Sequence, residues 1–144
     1  MALTVLYTTH AQANGGRNGR TRNTEGTVDV ELSVPKSMGG PGKPGTTTPE
    51  DLFAAGYAAC FGGACDFVAK SVLKLRPTSI SIDCAVGIGT RSEGGFGLKV
   101  DLTATIGGLN EVDAKRLVEE AHKVCPYSNA TRNNIDVGLK TVVA

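Results

Sequence analysis

A chain of 144 residues, with 15 basic and 14 acidic side chains, has room for one domain with a core of its own, taken as residues 1–144, and needs no covalent staple. Its net charge of +1 comes from interspersed signs, so neither a nucleic-acid nor a membrane partner is expected. No basic leader with a long apolar run opens the chain and no stretch approaches the ~18 apolar residues of a membrane span; the expected location is cytoplasmic, where four cysteines are not a structural disulfide framework.

Residues 3–12 and 27–34 read as strands, the second from the alternation of Val28, Val30, Leu32 and Val34 with Asp29, Glu31 and Ser33. Between them "NGGRNGRTRNTEG" is a turn region of Gly, Asn and Arg that suits a hairpin connection. A long Gly- and Pro-rich loop, "PKSMGGPGKPGTTTPED", ends in a helix start signal: Thr48 as N-cap, Pro49 at the first helical position, Asp51 as the capping-box acid. The helix is expected to run to about Leu75, before Pro77. Its first half is small or apolar on almost every face, so another backbone can approach closely, and a second copy of the chain would help to cover it.

Residues 79–89 and 98–106 alternate again and flank the turn "RSEGGFG", which predicts a second hairpin. Asn110 can cap a helix whose inward positions Ala114, Leu117, Val118, Ala121 and Cys125 follow a 3.6-residue period up to Pro126. Ile135, Val137, Leu139 and Val143 belong to a last strand. Without a βα alternation, the order predicts an α+β fold: an antiparallel β-sheet with a long buried central helix and a second helix packed on it.

Four cysteines divide by position. Cys84 sits on the apolar face of a strand and reads as core. Cys60 and Cys65, five apart on one helix, lie roughly 140° apart around it and cannot bridge. A Cys60–Cys125 approach stays open, since helices packed ~8–10 Å apart bring such side chains into range. Burial among Ala and Gly would hold Cys60 as a thiol, so a reactive Cys60 needs a cation from elsewhere. "GGRNGR", with Arg17 and Arg20, is the basic segment that permits close approach, although solvated turn residues look the same. Cys60, Cys125, His10 and His122 show no metal-site spacing, so no metal is expected.

The segments "TTTPEDLFAAGYAACF", "GGR", "GGFG" and "AHKVCPYSNATRNNIDV" resemble the organic hydroperoxide resistance proteins, the Ohr branch of the OsmC/Ohr family, over essentially the whole chain. The resemblance implies a tightly intertwined homodimer and a thiol peroxidase that reduces organic hydroperoxides to alcohols. In it Cys60 becomes a sulfenic acid, Cys125 closes a disulfide with it, Arg17 holds thiolate and peroxide, and Glu50 orients Arg17. It further implies no bound cofactor, with dihydrolipoamide or a lipoylated protein as reductant. Arg17 suits its role as a permanent cation with a planar fork, and Cys125 suits the second role because a helix C-terminus disfavours negative charge. His122, one turn before Cys125, suits a base or a helix-end cap.

Glu50 and Cys60, ten residues apart on one straight helix, would lie ~15 Å apart along it. The expectation is therefore that Cys60 meets Glu50 of a second subunit, the alternative being a first turn that unwinds and folds back. Met38, Phe53, Tyr57, Phe61 and Phe96 are the candidate apolar lining, which would favour alkyl or lipid hydroperoxides. The rival class is a peroxide-sensing binding module that oxidises once without turnover.

Overall fold

The structure, a computed structural model, describes residues 2–144. They form two compact units, Met1–Leu52 and Phe53–Ala144.

In the first unit, β1 (Ala11–Asn14), β2 (Arg20–Asn23) and β3 (Asp29–Glu31) make an antiparallel sheet in that order. The strand expected over 3–12 is regular only from Ala11, and residues 2–10 have no partner strand among the described residues of the chain. Leu3, Val5, Leu6 and Tyr7 are all exposed there, Leu6 by 94%. The chain beyond β3 is stitched on both sides: the Leu32 N–H donates to the Gly19 carbonyl at 2.8 Å, and the Thr47 N–H donates to the Glu31 carbonyl at 2.9 Å. The turn after β1 and the start of the long helix are thereby tied to one segment.

That helix, α1 (Pro49–Val68), opens with the expected capping box. The Asp51 N–H donates to Thr48 Oγ1 at 3.0 Å and the Thr48 N–H donates to Asp51 Oδ2 at 3.1 Å, which satisfies two donors that have no partner within the helix. The helix continues unbroken to Val68, so no first turn unwinds. It then widens into a π-helical turn over Ala69–Leu73 and stops at Lys74, whose φ of 55° is left-handed.

The second unit contains β4 (Ser79–Thr90), β5 (Phe96–Gly107), α2 (Glu111–Val124), α3 (Pro126–Thr131) and β6 (Val137–Val143). β4 and β5 pair antiparallel along their whole length, as the two alternating runs predict. β6 instead runs parallel to β5, from Val100 opposite Val137 to Ile106 opposite Val143, so the sheet is mixed where an antiparallel one was expected. A parallel pair needs a crossover, and α2 with α3 supplies it. Asn110 caps α2 as predicted, its Oδ1 accepting the Asp113 N–H at 2.8 Å. Pro126 ends α2 but, fitted to a first helical position, also opens α3.

Within this unit the core joins Tyr57, Phe61, Ala64, Cys65 and Val68 of α1 to Val100, Leu102, Ala104 and Ile106 of β5 and to Ala114, Leu117, Val118 and Ala121 of α2. The first set recurs at three- and four-residue steps and the second at every other residue, the periods of a helix face and a sheet face. By length and apolar composition alone the helical run Pro49–Leu73 could cross a membrane, contrary to the expectation that no stretch approaches a span. Its inward face is occupied by this core.

Candidate active site

The Arg17 side chain is set by its turn. Gly15 and Gly16 take left-handed φ values of 78° and 59°, which glycine adopts freely. A Cβ at Gly19 would run into the Asn14 carbonyl. Asn18 fixes the far side of the turn, its Oδ1 accepting the Val34 N–H at 3.0 Å. So held, Arg17 donates from Nη1 to Glu50 Oε2 at 2.9 Å and from Nη2 to Glu50 Oε1 at 2.6 Å. This two-toothed geometry matches guanidinium to carboxylate. The Arg17 guanidinium, and the backbone N–H of the glutamate itself in the first turn of α1, hold the Glu50 carboxyl below the usual carboxylate range against the opposing effect of burial. The glutamate side chain is 12% exposed and the arginine 38%, which leaves part of the cation open. Arg20, the other arginine of the segment, faces Asp29 and Glu31 on the exposed sheet.

In the second unit Cys60 and Cys125 are brought together. Their sulfurs lie 3.8 Å apart, both as free thiols, Cys60 half-buried and Cys125 fully buried. Burial pushes the Cys60 thiol up, the Tyr127 backbone N–H pulls it down, and the Cys125 sulfur adds a further upward push. None of these influences is a cation, so the thiolate needs its charge partner from elsewhere, as the sequence required. Cys125 ends α2 and caps α3 at once, so a helix C-terminus that disfavours negative charge and a helix N-terminus that favours it meet at this residue. Burial pushes Cys65 up to about 12, and Cys84 is raised by burial and by Asp83; both are poor nucleophiles at neutral pH.

The apolar candidates fall in different settings. Tyr57 and Phe61 are fully buried on the core face of α1, and Phe53 is half-buried one turn earlier. Met38 lies exposed on the short 3-10 turn Lys36–Met38, and Phe96 is 70% exposed at the start of β5. Sequence reasoning missed Tyr127. Its ring packs against Phe53 and Tyr57 with centroids 6.0 and 5.6 Å away, and its backbone N–H favours the Cys60 thiolate. The signal was its place two residues after Cys125. His122 turns its Nδ1 to Ser128 Oγ at 2.8 Å, and its ring lies beside Phe61.

Residues 40–140 match the family model described as "OsmC-like protein". The chain belongs to this family. Within it the similarity is to the organic hydroperoxide resistance branch: the chain is 54% identical over 135 residues to the organic hydroperoxide resistance protein of Xanthomonas axonopodis pv. citri, covering 94% of each. Among solved structures, an organic hydroperoxide resistance protein OsmC from Legionella pneumophila superposes with a TM-score of 0.91 at 48% identity, over 97% of this chain and all of the other. OhrB of Bacillus subtilis gives 0.86 at 40% identity, over 95% and 99%. The α+β architecture is thus the fold of these OsmC and Ohr structures.

Proposed function

We propose that the chain defends against organic hydroperoxides as a thiol-dependent peroxidase. The 3.8 Å approach of the Cys60 and Cys125 sulfurs carries this reading, since only a short movement separates them from a ~2.05 Å disulfide bond. The Cys60 thiolate attacks the terminal oxygen of the hydroperoxide, the O–O bond breaks, and the alkoxide takes a proton and leaves as alcohol. Cys60 is now a sulfenic acid. The Cys125 sulfur displaces its hydroxyl, which departs as water with the Cys125 proton, and a disulfide closes. An external dithiol, dihydrolipoamide or a lipoyl group on a protein, returns both thiols by exchange.

Arg17 supplies the cation that Cys60 lacks among residues 53–144, and Glu50 orients it. Ten residues of unbroken α1 separate Glu50 from Cys60, so the Arg17–Glu50 pair that serves Cys60 comes from a second copy. The apolar residues exposed between Leu3 and Tyr7 support such a homodimer. Phe53, with the buried Tyr57 and Phe61 behind it, would favour alkyl and lipid hydroperoxides, and the exposed Met38 and Phe96 are further candidates for that preference. The cytoplasm, where thiol reductants are abundant, suits this cycle.

The test is consumption of an alkyl hydroperoxide in the presence of dihydrolipoamide. Many equivalents consumed by the wild-type chain, and none above background by Cys60→Ser, is the expected result. A single equivalent consumed per chain, whatever dithiol is supplied, would instead favour the sensor.

A further inference from the structure

Behind the two thiols lies a chain of buried polar groups. Ser128, Thr131 and Tyr57 are at most 2% exposed, and none of their side-chain oxygens lacks a partner. Thr131 Oγ1 lies 3.2 Å from the Ser128 carbonyl, which can only accept, so the threonine proton is committed there. Tyr57 OH, 3.2 Å from the same Oγ1, must then donate to it. With that proton used, Ser128 Oγ donates to Tyr57 OH across 2.9 Å. His122 Nδ1, 2.8 Å from Ser128 Oγ, is left as the donor. A single carbonyl thus sets every direction, and the neutral imidazole carries its proton on Nδ1.

The ends of this chain bracket the reactive pair. His122 on α2 and Ser128 on α3 lie on either side of Cys125 in sequence, and Tyr57 stands one helical turn before Cys60 on α1. The junction carrying Cys125 is therefore fastened on both flanks to the helix carrying Cys60. We propose that Ser128, acting with His122, Tyr57 and Thr131, is a positioning residue for disulfide closure: it keeps the Cys125 sulfur on Cys60, so that the sulfenic acid is captured before a second peroxide reaches it. The assignment rests on the peroxidase reading above.

A sulfenic acid has two fates under excess hydroperoxide. Condensation with Cys125 expels water; attack on another hydroperoxide forms an S–O bond, releases alcohol and leaves a sulfinic acid, which does not revert. The ratio of these products depends on closure and is independent of how fast the sulfenic acid forms. The experiment treats the reduced full-length chain with tert-butyl hydroperoxide in excess and reads disulfide against Cys60 sulfinic acid by intact and peptide mass. Ser128→Ala and Thr131→Val each remove a hydroxyl that makes two buried hydrogen bonds and should lower the ratio about fivefold or more, since one such bond alone is worth about 1 kcal/mol. Thr131→Ser, which retains the hydroxyl, should keep the wild-type ratio. A role in packing alone would lower the ratio in Thr131→Ser, which loses a methyl group, and leave it unchanged in the near-isosteric Thr131→Val, and that outcome overturns the assignment, as do unchanged ratios in Ser128→Ala and Thr131→Val together. If Ser128→Ala does not fold, the Thr131 pair decides. A wild-type chain whose Cys60 takes up no oxygen and forms no disulfide would overturn the peroxidase reading itself.

Discussion

Cys60 carries the chemistry proposed here, yet its own unit works against it: burial and Cys125 both oppose the thiolate, and one backbone N–H favours it. In the proposed site the charge of Arg17 tips this balance. Arg17→Ala should move the pH midpoint of Cys60 alkylation upward, and below that midpoint each unit of rise leaves about tenfold less thiolate. Iodoacetamide labelling against pH checks this, with Arg17→Lys falling between, since it keeps a charge without the planar fork. His122 offers a pH prediction of opposite kind. Burial and the Arg132 charge lower its affinity for a proton, so the fold favours the neutral ring. Acidification through the ordinary imidazole value near ~6.5 protonates the unfolded chain first, and stability falls; above that value the group contributes no slope. Melting temperatures followed from about pH 7.5 to 5.5 should drop less for His122→Asn than for wild type.

At the scale of elements, what was legible was local. Thr48 with Asp51 and Asn110 with Asp113 signalled two helix starts because caps act within one turn of chain, and the alternation from Ile80 to Ile88 and from Leu98 to Ile106 marked a hairpin with little room for slippage. The direction of β6 was not legible, because period-two alternation is the same in parallel and antiparallel strands and the crossover that decides it lies in α2 and α3. Nor was α3, a six-residue helix whose opening proline reads equally as a stop. Cys60 and Cys125 could be singled out as a possible pair from inward helix positions and the family motif, whereas Tyr127 and Ser128 matter through a backbone N–H and a buried hydroxyl, which residue type does not advertise. The turn before β2 gives the prediction at this scale. Gly19→Ala drives a Cβ against the Asn14 carbonyl, which should cost about 1–3 kcal/mol, as overpacking does. Because the shift displaces Arg17 as well, peroxide consumption should fall although both thiols are intact; urea unfolding and a turnover assay check the two effects.

For the whole molecule, the chain on its own leaves surfaces that water does not favour. Leu3, Val5, Leu6 and Tyr7 are exposed on a segment that has no partner strand among the described residues, and Phe67 and Val72 are exposed further along the chain. The proposed second copy would cover these surfaces and supply the cation that Cys60 lacks. Sedimentation of the purified chain should give twice the chain mass. Mixing inactive Arg17→Ala with inactive Cys60→Ser, after unfolding and refolding together, should restore part of the activity, because one mixed site is then intact. An active monomer, or no recovery in dimers shown to be mixed, would place the arginine and the thiol of one site on the same copy. The most direct measurement of the central chemistry is the addition of one equivalent of alkyl hydroperoxide to the reduced protein, followed by peptide mapping and quantification of the alcohol. One alcohol released per Cys60–Cys125 disulfide formed is the expected result; alcohol without that disulfide, or a disulfide involving Cys65 or Cys84, contradicts the assignment of Cys60 and Cys125.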